Sequence, residues 1–334
     1  MIEQTVRSRG LLDLIISLLP NLKLTEKILL LQSFDNIDQL IIQSKHDIEF
    51  IINRQLKEFW DITEIIDKAG RIDTTCRIRS IKWVSWTEYE YPPLLREIYD
   101  PPSVIFYIGS LPNPEKPLIG IVGTRKPSPA AAEQTYKIAG NLSRLGISVI
   151  SGLALGIDAM AHRGNLIGAA PAYAVLGSGI DEIYPCVNRP LAKRILDSGG
   201  AIISEYPPGV HPAKWTFPAR NRIISAFSRS VLIIEAPLKS GALITASFAL
   251  EQGKDLWVAS EGIEENLFDK RGTIKLASEG AEIIHSAMDV LEKWNVTAAC
   301  GIINDTEDTD KNDIAVSDRR EVISSMANFL KFDI

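Results

Sequence analysis

The chain has 334 residues, 46% of them hydrophobic and 23% charged, and a net charge of −6. That composition belongs to a globular protein with room for one large domain and a small one, and it argues against a disordered or fibrous chain. No apolar run reaches the length of a membrane span, and the three cysteines (Cys76, Cys186, Cys300) lie too far apart for a CxxC pair, which fits a reducing cytoplasm rather than a disulfide or zinc framework.

Residues 1–66 are predicted to form a small N-terminal helical (SAM-like) domain. Leu11, Leu12, Ile15, Leu18 and Leu19 mark one amphipathic face, which Pro20 ends. Ile28, Leu29 and Leu31, then Ile48, Ile51, Ile52, Leu56 and Phe59, suggest further helices. Asp13 interrupts the Leu11–Leu19 run, and no small-residue cleavage site follows, so no signal peptide is predicted. Residues 67–116 form a connecting or edge segment. Pro92, Pro93, Pro101 and Pro102 force extended or turn backbone there, and its expected job is to cover one edge of the next domain.

Residues 117–300 are predicted to form a Rossmann-like domain. Apolar runs occur at Leu118–Val122, Ile147–Ile150, Ala172–Leu176, Ala201–Ser204, Val231–Glu235 and Leu256–Ala259. Helix-length segments such as Ala130–Leu145 and Leu243–Gln252 lie between them. Runs that are continuous rather than alternating fit strands covered on both faces, hence an α/β fold with a parallel sheet. Residues 301–334 begin with the polar, acidic NDTEDTDKND and are expected to be a largely disordered tail, with one possible helix at Ile314–Ile334.

The charge is unevenly distributed. Lys116 to Arg229 carries thirteen Lys and Arg against six Asp and Glu, a net +7, which leaves −13 for the rest. Screening limits each charge to a reach of about 10 Å, so an acidic protein with a basic middle can still bind phosphate locally.

Four loops leave strands at the carboxyl edge of the predicted sheet, where open parallel sheets bind ligands. Gly123-Thr124-Arg125 follows the first strand, and Ser128 and Pro129 then look like an N-cap and first helical position. SGLALGID follows the second; its Ser151, Gly152 and Gly156 permit a nest of N–H donors. Asp158 and His162 stand i, i+4 on the helix after it; a cap plus a packed, hydrogen-bonded histidine is preferred to a catalytic pair. LGSGIDEIYP lacks the lysine of a Walker loop, which argues against a P-loop ATPase. Lys239, Ser240 and Gly241 open the last helix of the group as a further phosphate cradle. Just before it, FPARNRII adds Arg220, Asn221 and Arg222, while Trp215 and Phe217 flank Lys214 as either stacking platforms or buried edge rings. No loop carries the full GxGxxG, so no dinucleotide cofactor is expected, and no metal site.

These motifs, in this order, resemble the DNA-processing protein A family from about residue 88 to 285. The matching pieces are YPPLLREIYDPPSVIFYIG, GIVGTRKPSP, SGLALGIDAMAH, AVLGSGIDEIYPCVNRPL, ISEYPPG, FPARNRIISAFS, VLIIEA and SGALITASFALEQGKDLW. The resemblance implies an extended Rossmann fold, no enzymatic activity, no cofactor, homodimers, binding of single-stranded DNA in a basic pocket, loading of the RecA recombinase, and protection of incoming DNA in natural transformation. Its pocket would use Gly123, Thr124, Arg125, Ser151, Gly152, Gly156, Arg220, Asn221, Arg222, Lys239, Ser240 and Gly241. Alanine at Arg125 or Arg220 is expected to weaken binding without unfolding the chain. Val258–Ser260 reads VAS where the family has VPG, and Arg271–Ala281 lacks the family's asparagine, so the last wall of the site departs from the pattern. PNLKLT lacks helix-hairpin-helix glycines, and the chain is too short for a winged helix. The alternative is a nucleoside-monophosphate phosphoribohydrolase of the lysine-decarboxylase-like group. It is disfavoured because Ala246, Ser247 and Phe248 stand where its catalytic glutamate would be.

Overall fold

The computed structural model describes residues 2–58, 60–264 and 268–296. Five helices open the chain: α1 (Ile2–Leu18), α2 (Leu24–Ser33), α3 (Ile37–Ile41), α4 (Lys45–Ile52) and α5 (Ile62–Ile78). Local chemistry sets several of their starts. Asn36 accepts the Gln39 N–H, Ser44 and Asp47 close a capping box, and Asp61 accepts from Thr63 and Glu64. Leu12, Ile15, Leu19, Leu30 and Ile48 are buried in one core with the sheet residues Val104, Phe106, Ala172, Leu176 and Ile202. The helix α5 passes straight through residue 66, and its Ala69, Ile72 and Cys76 continue that core. Met1–Asn295 form one compact unit, and a second begins at Val296. Phe59, Cys300 and the acidic tail at 301–334 with its possible helix lie outside the described residues.

The rest alternates strand and helix: β1 (Lys82–Ser85), α6 (Pro93–Arg96), β2 (Val104–Gly109), β3 (Leu118–Val122), α7 (Pro129–Arg144), β4 (Ser148–Ser151), α8 (Ile157–Asn165), β5 (Ala172–Leu176), α9 (Arg189–Asp197), β6 (Ala201–Ser204), α10 (Thr216–Phe227), β7 (Ser230–Ile233), α11 (Gly241–Glu251), β8 (Asp255–Ala259), α12 (Arg271–Ser278), β9 (Glu282–Ile284) and α13 (Ala287–Lys293). They build one sheet in the order β1-β2-β6-β5-β4-β3-β7-β8-β9. Strands β3 to β9 run parallel, and β1 and β2 add an antiparallel edge beside β6. The predicted α/β class, a Rossmann-like parallel sheet domain with an N-terminal helical region, is the observed one. Every residue of β3, β4, β5, β6 and β7 is buried, as expected of strands sandwiched between helices.

The topology decides where a ligand fits. The chain leaves β3 for β4 on one side and reaches β7 on the other. Helices therefore pack on both faces, and a crevice opens beyond the carboxyl ends of β3 and β7.

Candidate nucleic-acid interface

Three loops interlock at that crevice. The Thr124 N–H donates to the Glu235 carbonyl at 2.7 Å, which ties the exit of β3 to the exit of β7. The Ile157 N–H donates to the Thr124 carbonyl at 3.2 Å, which ties in the loop after β4. Gly156 adopts φ +77°, and a side chain on it would run into the backbone of Thr124 and Arg125. Gly123 is similarly hemmed in, with Ile157 filling the space a Cβ would need.

Arg125 stands exposed at the tip of the first loop. Its guanidinium lies over the Phe217 ring, 5.6 Å from the centroid, and forms no ion pair among the described residues. Phe217 is half-buried and packs on Tyr184, with centroids 5.6 Å apart. Trp215 is 66% exposed, edge-on to Tyr206, and Lys214 beside it is exposed. Of the two expected fates for these rings, Trp215 has the open one and Phe217 is a half-covered platform.

Arg220 has a different place. It is 5% exposed and spans the floor of the crevice. Nη1 donates to the Gly152 carbonyl at 2.8 Å and to the Val175 carbonyl, and Nε donates to Asn221 Oδ1 at 3.0 Å. Asn221 in turn donates to the Gly241 carbonyl at 3.1 Å, reaching the start of α11. FPARN thus joins the loop after β4, the end of β5 and the start of α11. Burial pushes Arg220 down to about 10, with Asp158 opposing the shift, so it keeps its charge at neutral pH. Asp158 is pushed up by burial against the pull of Arg220 and the N–H groups of Ala154 and Gly152. It accepts from the loop N–H of Gly152 at 3.1 Å and so braces that loop rather than capping α8, whose N-cap Gly156 has no side-chain cap bond.

Gly152 lets Arg220 sit there. A Cβ at Gly152 would lie 2.5 Å from the guanidinium carbon. The arginine is pinned by three acceptors and has little room to yield. Gly152→Ala is therefore expected to lower stability by roughly 1–3 kcal/mol through overpacking, read as a shift in a urea unfolding midpoint.

Three expectations need correction. Arg222 does not face the crevice. It is 7% exposed, holds Glu205 through Nη1 at 2.8 Å and Nη2 at 2.7 Å, and donates Nε to the Asp100 carbonyl at 2.8 Å. Its charge is spent on Glu205, and the side chain pins the loop after β6 and the segment before β2. Ser151 points into the fold, fully buried, and donates to the Ile121 carbonyl at 2.6 Å. His162 is buried without the expected hydrogen bond; neither ring nitrogen has a partner, and burial pushes it down to about 3. Across the crevice, Ser240 caps α11 by accepting the Ala242 N–H at 3.2 Å, Lys239 is exposed, and open space surrounds Gly241.

One participant escaped the sequence reading. Glu235 ends the apolar run VLIIE and is 1% exposed. Its carboxylate accepts from the Ser128 N–H at 3.1 Å and the Ser128 hydroxyl at 2.7 Å, and the buried Lys270 ammonium lies 3.8 Å away. It braces the Gly123–Ser128 loop that carries Arg125. The signal was present, since an acid at the carboxyl end of a buried strand needs a partner.

The chain can be placed among known proteins. A model of the DNA recombination-mediator protein A family matches residues 82–295. Protein Smf of Synechocystis is 45% identical over 206 residues, 60% of this chain and 51% of that protein. The DNA processing protein DprA of Bacillus subtilis is 37% identical over 236 residues, 70% of this chain and 78% of that protein. The chain thus spans about half the length of the first relative and over two thirds of the second. The X-ray structure of DNA processing protein A from Streptococcus pneumoniae superposes with a TM-score of 0.68 at 30% identity, over 86% of this chain and 97% of that one. That of Helicobacter pylori, reported for its single-stranded DNA binding mode, gives 0.56 at 29% identity, over 64% and 96%.

Proposed function

This chain belongs to the DNA recombination-mediator protein A family, and from that membership we propose that its crevice binds single-stranded DNA. One observation carries the reading. Arg125 presents an exposed guanidinium over a half-buried aromatic ring, at a sheet edge whose loops Gly123, Gly152 and Gly156 allow to pack tightly together. Phosphate oxygens go to Arg125 and to Lys239 and the α11 start, with Thr124 and Ser240 alongside. Arg220 acts from beneath through Nη2, which donates to no described residue. Phe217 and Trp215 offer faces to bases without reading their sequence.

The binding is expected to be salt-sensitive and indifferent to sequence, with log affinity for oligo-dT falling by about 0.7 per phosphate contact against log salt. Arg125→Ala should weaken binding by roughly 10- to 100-fold, the worth of one charge-assisted contact, and flatten the salt response. A variant that binds like the parent, or a parent that prefers duplex, overturns the assignment. As a finer reading, the protein works in the cytoplasm as a homodimer that shields incoming DNA and loads the RecA recombinase. A gel shift with single-stranded DNA, with and without RecA, tests that role. The phosphoribohydrolase alternative is not favoured, because Ala246, Ser247 and Phe248 on α11 carry no carboxylate; incubation with AMP should release no adenine.

A further inference from the structure

A second basic surface borders the crevice, and the crevice reading does not use it. Helix α9 follows β5 and returns to β6, so its first turn stands at the same carboxyl edge as Arg125. Its inner face, Leu191, Ala192 and Ile195, is buried. Its outer face carries Arg189, Lys193 and Arg194, all exposed, and their side chains form no hydrogen bond or ion pair among the described residues. The nearby acids are engaged elsewhere. Asp181 holds Arg79 at 2.6 Å, and Glu182 holds His211 at 2.8 Å. Asp197 lies at the far end of the helix, away from the edge.

The two surfaces are physically joined. Asn188 donates its side-chain amide to the Leu153 carbonyl at 2.9 Å and the Ala154 carbonyl at 3.2 Å, which clamps the start of α9 against the glycine loop after β4. Arg125 lies over Phe217, Phe217 packs on Tyr184, and Tyr184 opens the short turn that leads to Arg189. Along that turn Tyr184 is 47% exposed and Val187 66%. An apolar step between two cationic sites is the pattern of a single-strand track, where bases meet rings and phosphates meet cations. Arg189 and Lys193 are four residues apart on one side of the helix, about 6 Å along the axis.

We propose that a single strand leaving the crevice continues over Tyr184 and Val187 onto α9, placing successive phosphates on Arg189 and Lys193 with Arg194 at the border. This rests on the crevice reading and extends it: the site is longer than the pocket, and long strands gain contacts that short ones lack.

The test titrates the full chain with an oligo-dT of about six nucleotides and one of about 25 across a salt series. The double variant Arg189→Glu/Lys193→Glu should bind the short strand like the parent. It should lose about tenfold or more for the long strand, and its salt slope there should fall by about 1.4, two contacts of 0.7 each. The charge-keeping Arg189→Lys/Lys193→Arg should retain the long-strand affinity. A glutamate variant with parental affinity and slope for the long strand overturns the track and leaves the crevice standing. A parent that binds neither strand overturns both.

Discussion

Arg220→Ala lowers the stability of the folded chain by roughly 3–5 kcal/mol, the cost of removing one partner from a buried charged network. The removed guanidinium leaves the Gly152 and Val175 carbonyls without their donor and Asn221 without its Nε contact. It also strips Asp158 of the neighbouring positive charge that opposes its burial. Arg220→Lys rescues only part, because an ammonium in the place of Nη1 can meet both carbonyls but leaves Asn221 Oδ1 without its Nε donor. Arg125→Ala is the contrasting case. Its side chain is exposed, lies over the Phe217 ring and forms no ion pair among the described residues, so its stability should stay within about 0.5 kcal/mol of the parent while its DNA affinity falls. Urea titrations of both variants beside the binding measurement separate frame from contact. Parental stability for Arg220→Ala would return that residue to the role the sequence suggested, a contact replaceable without unfolding.

Why the sequence suggested one role for both arginines of RNR is a matter of helix phase. Residues two apart on a helix lie about 200° apart around its axis, so a motif symmetric on paper splits across α10. Arg220 turns to the exits of β4 and β5, and Arg222 turns to Glu205 and Asp100. Arg125 suffered no such ambiguity, because a loop residue beside a glycine after a buried strand has nowhere to go but the edge. Ser151 failed for the opposite reason: it is the last residue of β4, a strand buried along its whole length, and its hydroxyl is taken by the Ile121 carbonyl of β3. The strands β3 to β8 were legible because helices cover both faces and leave unbroken apolar runs. Between residues 67 and 116 the chain finishes α5 and then adds β1 and β2, paired antiparallel beside β6 amid prolines. The three-residue β9, with only Ile284 buried, offers no apolar run at all.

His162 should make the fold acid-sensitive. The ring is fully buried on α8, both nitrogens lack partners, and burial, with the nearby Arg220 charge adding, pushes it down to about 3. In the unfolded chain a histidine titrates near 6.5. Between those values the unfolded state takes up a proton that the folded state refuses, so stability is complete above about pH 6.5 and drains away as pH falls. The loss is about 1.4 kcal/mol per pH unit once well below 6.5, hence roughly 2–3 kcal/mol by about pH 4.5. Asp158 acts with the opposite sign: its folded value is raised, so its protonation favours the folded state and offsets part of the loss at the acid end. His162→Phe removes the titration while nearly keeping the ring's shape, and it removes two unpartnered nitrogens. Urea midpoints at about pH 7.5 and about pH 5 should separate for the parent and lie close together for the variant. An equal separation in both would place the acid sensitivity elsewhere and require that the buried imidazole find a proton-holding partner at the floor of the crevice, beside Arg220.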